Sequence, residues 1–214
     1  MSSPNISFDN IPSSIRKPGQ YFEFNTKLAV RTLPANAQKV LIIAPMLASG
    51  SLDPLVATSV FSGDEAAVYF GYGSIAHLMV VAAINTYSYL DLTVIGVSDA
   101  SAGIAATGTL TITGPASSQG VVSLWIGKTR VDVAVSAADT VTEIAAAMKT
   151  AIDNQPELPV TAAVSAGVLT LTAKNKGAAG NDIRLRAQTT ASGTTTAIVA
   201  MASGATDPDI APAL

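Results

Sequence analysis

The single histidine of the chain, His77, is the first residue to weigh for chemistry. A Ser/His/Asp triad needs this histidine beside an activated serine, and the sequence contains no G-x-S-x-G elbow to present one. A histidine metal site would have no second His or Cys to use. His77 also lies in the middle of the most apolar predicted helix. The sequence therefore predicts a histidine buried in a core or an interface.

A glycine-bearing loop at residues 174–182 invites comparison with a phosphate cradle. A P-loop requires G-x-x-x-x-G-K-[ST] between a strand and a helix. Here Gly177 and Gly180 lie between two predicted strands, and no Lys-Ser/Thr pair follows them. We interpret the loop as a structural turn in which Asn181 or Asp182 bonds the local backbone.

Two other candidate sites give weaker signals. Asp207 and Asp209 are candidates for a cation site, but their surroundings are more typical of a solvated linker. Gly71-Tyr72-Gly73 is typical of a helix break, because one glycine pair does not make a nucleotide site. We therefore predict no catalytic residue, no cofactor-binding residue, no metal ligand and no cofactor, and we expect a protein that is not an enzyme.

The composition favours a protein that associates with other subunits. Of the 214 residues, 49% are hydrophobic and 13% charged, against about 25% charged in typical soluble domains. Small apolar residues dominate, and they suit surfaces that become buried against other subunits. The net charge is −3 and no run of Lys or Arg forms a stripe, so a nucleic-acid partner is not expected. The absence of cysteine excludes disulfides.

No segment predicts membrane insertion or secretion. One long uncharged run, Ala66–Leu90, is continuously apolar only from Leu78 to Ile84, whereas a spanning helix needs about 20 mostly apolar residues. The N-terminus has no basic region followed by an apolar one, so no signal peptide is visible.

Residues 1–36 predict an extended N-terminal arm. Four prolines punctuate the segment, and proline cannot donate to a strand ladder. Between them, Gln20–Phe24 alternates like a short strand, which would need a neighbouring sheet in this chain or another. A flexible terminus is the alternative.

Residues 37–98 predict a partial α/β domain. Lys39–Ala44 is a continuous apolar run ending at Pro45, which is typical of a central strand in a parallel sheet. Leu92–Val97 is a second apolar strand, and the helical pattern between the two predicts a βαβ unit with parallel strands. The intervening elements are a short strand or turn at Val56–Phe61, a short helix at Asp64–Phe70, a break at Gly71 and Gly73, and a helix capped by Ser74.

The helix after Ser74 is predicted to be buried nearly all round. One stripe recurs at helical spacing and apolar residues fill the opposite side. The stripe comprises Ile75, Leu78, Met79, Ala82 and Ala83, and the opposite side comprises Val80, Val81 and Ile84.

Residues 99–205 predict an inserted antiparallel β-sandwich-like module with one helix, so that the whole chain is of the α+β class. Leu110 and Ile112 alternate with threonines, and Ser123 and Trp125 alternate with the core-facing residues of the next strand. The core-facing positions of that strand and its hairpin partner are Val122, Leu124, Ile126, Val131, Val133 and Val135. Gly127-Lys128 between them suits a type II′ turn.

Local sequence signals also predict the helix and the later strands of this module. Thr140 and Glu143 form a capping box that begins a helix, and Pro156 and Pro159 enforce its end. Its apolar stripe comprises Val141, Ile144, Ala145, Met148 and Ile152. The later strands are predicted at Val160–Val164 and Val168–Thr172, which form a hairpin around Ala166-Gly167, then at Ile183–Arg186 and Thr195–Met201.

Four stretches together resemble the N-terminal portion of contractile tail sheath proteins of Mu-like bacteriophages. The turn Lys176–Ile183 is the most specific of them, because it is similar to the characteristic turn of that family's inserted β-domain. The others are Ile6–Ser13 with Pro18–Tyr21, Phe70–Ser74 with Leu78-Met79, and Asp139–Ala147 with Leu158–Ala162. In this order they cover nearly the whole chain.

The resemblance implies a mechanical role. Sheath subunits stack as six-membered rings around a tail tube, and a baseplate trigger makes the lattice contract and drive the tube through the host envelope. The energy is stored in the extended lattice, so no nucleotide is needed. The implied partners are other sheath subunits, the tail tube and the baseplate. The implied location is the tail of the virion, assembled in the host cytoplasm.

One departure from the family pattern concerns the C-terminus. Sheath proteins continue well beyond the inserted domain, whereas this chain stops at Leu214, so residues 206–214 are expected to be a linker toward a missing C-terminal domain. A truncated sheath subunit is the resulting expectation, with exposed strand edges around Val40–Ile43 and Leu92–Val97.

Two other functions stay open at this point. The β-rich module is alternatively an adhesin-like unit that recognises a host surface or glycan, with Trp125 as its outward aromatic residue. A hydrolase is the third alternative, and it rests on His77 alone.

Overall fold

The computed structural model describes residues 16–20, 39–87 and 90–214. Contacts divide the chain into residues 1–37 and 38–214, and the second unit is described here. The predicted strand Gln20–Phe24 lies outside the described residues except for Gln20.

The first part of the second unit is a small sheet with two helices on one face. Its elements are β1 (Lys39–Met46), β2 (Ala57–Ser59), α1 (Gly63–Phe70), α2 (Ile75–Thr86) and β3 (Asp91–Ser98). The strand order is β1-β3-β2, with β1 parallel and β2 antiparallel to β3. The predicted parallel βαβ unit and the short second strand are therefore confirmed. Both N-caps form locally, because the hydroxyls of Ser62 and Ser74 accept from backbone N–H groups three residues on.

Two predictions about this part are wrong. The strand at Leu92–Val97 is not an exposed edge, because β2 pairs with its second side. Helix α2 is not buried all round, since only Ala76, His77 and Val80 are fully buried and Met79 is 43% exposed. A helix that is apolar on every side gives no clue to which side meets β1.

The second part contains seven strands and one helix, as the alternating pattern predicted. They are β4 (Thr107–Thr113), β5 (Gly120–Ile126), β6 (Thr129–Val135), α3 (Val141–Asp153), β7 (Val160–Ser165), β8 (Val168–Ala173), β9 (Leu185–Thr189) and β10 (Thr195–Ala202). Two antiparallel sheets result, with orders β10-β4-β8-β7 and β6-β5-β9. Short 3₁₀ segments occur at Ala178–Asp182 and Ala211–Ala213.

Local chemistry places most of these elements where the sequence predicts them. The capping box of Thr140 and Glu143 is complete, and the buried side of α3 has the predicted residues except for half-buried Val141. Gly127 has φ +62° in the β5–β6 turn, and Ala166 and Gly167 both have positive φ in the β7–β8 turn. Strand β9 begins two residues later than predicted, at Leu185.

The described residues of the second unit form two separate clusters of buried apolar side chains. One joins both antiparallel sheets and α3, with Leu124, Met148 and Leu171 fully buried. The other joins β1 and β3 to the helices through residues such as Phe70 and Val94. The fold is of the predicted α+β class, and the domain division at residues 98 and 99 stays a prediction.

Candidate functional site

His77 is buried, as predicted, with 5% of its surface exposed, but it lies in the first turn of α2 and not in the middle of the helix. Its Nδ1 accepts a hydrogen bond from the backbone N–H of Gly73 at 3.1 Å, so this nitrogen carries no proton. Burial lowers the pKa of the imidazole and Lys174 lowers it further, while Glu157 and Asp64 act in the opposite direction. Neutral His77 thereby holds the bend between α1 and α2.

The loop at residues 174–182 joins the two parts of the fold through Asn175, whose amide is buried. Its Oδ1 accepts from the N–H of Ile75 at 2.9 Å, at the start of α2. Its Nδ2 donates to the carbonyl of Met46 at 3.3 Å and to Asp99 Oδ1 at 3.0 Å. The other carboxylate oxygen of Asp99 accepts from the N–H of Lys176. One side chain therefore connects β1, α2 and the β-rich part.

Lys174 makes a second connection across the same junction. Its Nζ donates to the carbonyls of Tyr72 at 3.0 Å and Pro156 at 2.6 Å. Burial lowers the pKa of the ammonium group, and Glu157 partly offsets this effect. Gly73 has φ +77°, and a Cβ there would lie 2.2 Å from the carbonyl oxygen of Leu158, so only glycine fits at this contact.

The remainder of the loop is a structural turn that contacts the C-terminal segment. Asp207 Oδ1 accepts from the N–H of Ala178 at 2.6 Å. The side chain of Asn181 exchanges two hydrogen bonds with the backbone of Gly204, at 2.8 and 3.0 Å. The predicted turn is confirmed, but Asn181 bonds a distant segment and not the local backbone. Asp207, a weak candidate for a cation site, has a structural partner instead.

A cleft of about 690 Å³ opens beside this junction. Its lining is mostly small or apolar, and Lys174 is the one cation among the lining residues. Because the Nζ of Lys174 donates to two carbonyls, this amine is not free to act as a nucleophile in the cleft. In the described parts of the chain, no group of three His, Cys, Asp or Glu side chains is placed to hold a metal ion. No described helix is long and apolar enough to cross a membrane.

Alternate backbone groups of β1 point away from β3. The carbonyls of Leu92 and Gly96 accept from Val60 and Leu55 on the β2 side of β3, so the alternate residues of β3 face β1. In the parallel register, Leu41 pairs opposite Thr93, and its N–H and C=O therefore point away from β3. The N–H and C=O of Ile43 also point away from β3. Pro45, which has no N–H to donate, is compatible with this side of the strand. Within residues 16–20, 39–87 and 90–214, no strand pairs with this edge.

Exposed apolar side chains concentrate around this sheet and its helices. Among the described residues, eight of the twelve large hydrophobic residues that are exposed lie between Leu41 and Tyr87. Phe61 is 77% exposed, Leu41 57% and Val68 51%. Exposed apolar side chains are candidates for a protein–protein contact. We call the edge of β1, together with the eight exposed hydrophobic side chains from Leu41 to Tyr87, the assembly surface.

Trp125 lies on the outward face of the β6-β5-β9 sheet, as predicted. Arg130 on β6 and Arg186 on β9 are both directly opposite it in register. Their guanidinium carbons lie 5.3 and 5.2 Å from the centroid of its ring. Both arginines are therefore within the range of a cation–π interaction with Trp125, and this interaction competes with a sugar for the surface of the ring.

Sequence reasoning missed Asn175 and Lys174. Both lie in the loop at residues 174–182, and no spacing in the sequence distinguishes a buried amide from an exposed one. Gly73 was the one signal in the sequence for this junction, because glycine often marks a place where another backbone segment approaches closely. The sequence does not show which segment approaches.

Comparison with known proteins identifies one curated relative. The chain is 36% identical over 214 residues to the Mu-like prophage FluMu tail sheath protein of Haemophilus influenzae. The alignment covers 98% of this chain and 44% of that protein, so the chain spans less than half the length of its relative. No family model matches the chain.

Two solved structures show a faint likeness. Both are crystal structures of the flagellar cap protein FliD from Escherichia coli, one of domains D1-D2-D3 and one of D2-D3. The first is 21% identical with a TM-score of 0.27, covering 46% of this chain and 34% of that one. The second is 18% identical with a TM-score of 0.24, covering 49% and 70%. At these TM-scores neither likeness carries an argument.

The curated match bears on the resemblance that the sequence motifs carried. It covers 98% of this chain, including the turn at residues 176–183. In the structure this turn is hydrogen-bonded to the C-terminal segment. The resemblance of this chain to Mu-like tail sheath proteins is thereby confirmed over nearly the whole of its length.

Proposed function

We propose that this chain is a structural part of a contractile bacteriophage tail sheath. The observation that carries the proposal is the 36% identity to a tail sheath protein along 98% of the chain. In this role the protein polymerises around a tail tube, contracts and drives the tube through the host envelope. Its partners are other sheath subunits, the tail tube and the baseplate. It resides in the tail of the virion and is assembled in the host cytoplasm.

The distribution of exposed surface supports an assembly role. A strand edge with open N–H and C=O groups is a template for a strand from another chain. The edge of β1 is of this kind, and the exposed side chain of Leu41 supplies apolar area on the same strand. In the proposed polymer, a strand of a neighbouring subunit pairs with the groups of Leu41 and Ile43. A pairing of this kind needs no nucleotide, because the free energy comes from contacts between subunits.

The two parts of the fold take different roles in this proposal. Residues 37–98 form the partial α/β domain that carries the assembly surface. Residues 99–205 form an inserted β-rich domain that faces away from the tube. The hydrogen bonds of Asn175 and Lys174 hold this domain in a fixed orientation, so that a subunit moves as one body when the lattice changes.

Negative-stain electron microscopy tests the polymerisation. The whole reading frame that contains this chain is expressed, and the purified product is imaged over a range of concentration and salt. We expect rings or tubes of uniform diameter, because sheath subunits associate through repeated identical contacts. Particles that stay monomeric under all conditions would contradict the proposal.

A further inference from the structure

The two faces of the β1-β3-β2 sheet differ in what covers them. On one face, alternate residues of both long strands are buried against the helices, namely Ile42, Ala44, Leu92 and Val94. On the other face, Leu41 lies opposite Thr93 and Ile43 lies opposite Ile95 in register. Leu41 is exposed, its three neighbours are half-buried, and none of the four belongs to either buried apolar cluster. We call these four residues the open sheet face.

A parallel pair of strands usually has both of its faces covered. Helices lie on both sides of such sheets, because their strands are apolar on both sides. Leu41, Ile43 and Ile95 follow this pattern in type, yet among the described residues both helices of this part pack on the opposite face. The open sheet face therefore has the composition of a surface that another helix covers.

Helix α2 carries an apolar surface on its outer side. Ala76 and Val80 pack in the cluster beneath the sheet, whereas Met79 and Ala82 are exposed on roughly the opposite side of the helix. None of the residues of α2 is charged, although the solvent side of a surface helix is usually charged or polar. We call Met79 and Ala82 the outer side of α2.

The directions of the elements allow these two surfaces to meet between copies. They lie on opposite sides of one sheet, so neither can cover the other within a single chain. Asn175 bonds both the N–H of Ile75 and the carbonyl of Met46, so α2 begins at the end of β1 and runs antiparallel to it. A copy translated across the sheet keeps this direction. Its α2 then crosses the open sheet face as a crossover helix crosses a parallel sheet.

The charges at one end of the two surfaces are complementary in this arrangement. Lys39 begins β1 with its side chain 83% exposed and its Nζ 3.8 Å from Asp91. Exposed Asp64 lies in the first turn of α1, close to the same end of the sheet, because the nearby N–H of Val60 bonds the carbonyl of Leu92. Translation therefore brings an anion of one copy to the end of the contact where the next copy has a cation.

We infer that the outer side of α2 in one copy packs on the open sheet face of a second copy. Each sheet is then enclosed between its own helices and the helix of a neighbour. The contact joins two different surfaces, so it repeats from copy to copy and generates a ring or a filament. The choice of a second copy as the occupant rests on the proposed sheath function. The contact is separate from strand pairing at the edge of β1, because it uses side chains and not backbone groups.

Disulfide trapping tests this contact in the full chain, which has no cysteine of its own. Met79→Cys places a thiol on the outer side of α2, and Ile43→Cys places one on the open sheet face. The two single variants are mixed in equal amounts, oxidised with copper phenanthroline and separated by non-reducing electrophoresis. We expect about tenfold more linked dimer in the mixture than in either variant alone, because a disulfide requires two Cα atoms within about 7 Å.

Two further variants keep the test interpretable. Thr93→Cys probes the same face if Ile43→Cys does not fold, and circular dichroism shows which variants are folded. Ala147→Cys on the exposed side of α3 is the matched control. Mixed with Ile43→Cys, it should give no more dimer than either variant alone.

Each alternative occupant gives a different result, and each would overturn the inference. Dimers of Met79→Cys alone would show that helices meet each other, and dimers of Ile43→Cys alone would show that sheet faces meet. A doubly substituted chain that forms an internal disulfide would show that the chain covers its own face. A mixture that links no better than the control would show that the two surfaces do not meet.

The whole reading frame supplies the last comparison. With any cysteine outside this chain replaced by serine, the same mixture should also link. Loss of linkage there would show that another segment of the longer protein covers the face. Linkage requires only two copies, whereas the imaging of rings or tubes requires many. Tubes that form without linkage would refute this contact and leave the proposed sheath function standing.

Discussion

At the scale of single residues, the stability of the junction depends on a few buried polar side chains. Asn175 satisfies two backbone groups and one carboxylate oxygen, which come from three different segments. His77 satisfies the N–H of Gly73 in a glycine-rich bend. Buried polar groups of this kind are costly when they lose their partners, because water cannot reach them.

Replacing Asn175 by Ala should lower the free energy of unfolding by about 2–3 kcal/mol, because three groups lose their partner in the protein interior. Urea denaturation followed by circular dichroism measures the change. Asn85→Ala, on an exposed turn of α2, is the matched control and should stay within about 0.5 kcal/mol of the parent. Equal losses in both variants would refute the role of Asn175.

The lowered pKa of His77 predicts a pH dependence of stability. An unfolded imidazole has a pKa of about 6.5, so below that pH the unfolded chain binds a proton that the folded chain does not bind. Stability should therefore be highest above this pH and fall as the pH decreases toward the lowered pKa of the folded state. Urea denaturation at pH 7.5, 6.5 and 5.5 should show the fall.

His77→Asn provides the comparison, since its Oδ1 can accept from Gly73 and does not titrate. The variant should show a smaller fall over the same pH range. Glu143, whose pKa is lowered by the hydrogen bond from the N–H of Thr140, contributes only at more acidic pH, near the carboxylate range. Identical pH profiles for parent and variant would rule out His77 as the titrating group.

At the scale of elements, the sequence predicts most of the fold and fails where burial depends on a distant partner. Alternation predicts the strands around Leu110 and Leu124, and the Thr140 capping box predicts the start of α3, because these signals are local. The orientation of α2 is not predictable in the same way. Its buried side is set by β1, and a helix with apolar residues on every side has no distinctive stripe.

Proline should lower stability by different amounts at two neighbouring positions of β1, because their N–H groups point in opposite directions. Leu41→Pro removes an N–H that points away from β3 and should cost little stability. Ile42→Pro removes a bond to β3 and a buried side chain, and should cost about 3 kcal/mol or more. Thermal unfolding compares the two variants. A Leu41→Pro chain as unstable as Ile42→Pro would contradict the assigned edge.

The exposed side of α2 predicts a variant that folds but does not assemble. Met79→Glu changes a side chain that is 43% exposed, so the free energy of unfolding should change by less than about 0.5 kcal/mol. Polymerisation should be lost, because a charge would be placed in a subunit contact. Sedimentation velocity measures the assembled fraction.

The matched control for this variant is Ala147→Glu, which introduces the same charge on the exposed side of α3. It lies in the β-rich part and should polymerise normally. Loss of polymerisation in both variants would indicate a general charge effect and not a contact through α2.

At the scale of the whole molecule, the described residues combine a β-rich part with an α/β part that has exposed apolar side chains and a strand edge with no partner strand among them. Resemblance of the motifs at residues 70–79 and 176–183 to sheath proteins could be drawn from the sequence, and the curated relative confirms it. The sequence could not predict how Asn175 and Lys174 join the two parts, because contacts across about 100 residues leave no local pattern.

The central claim is that the β1 edge is completed by a neighbouring subunit in a sheath polymer. Cryo-electron microscopy of assembled tubes from the whole reading frame tests it most directly. We predict a strand from another subunit hydrogen-bonded to the backbone of Leu41 and Ile43, with the β-rich part on the outer surface of the tube. Tubes in which this edge of β1 faces solvent, or in which the β-rich part lines the inner surface, would contradict it.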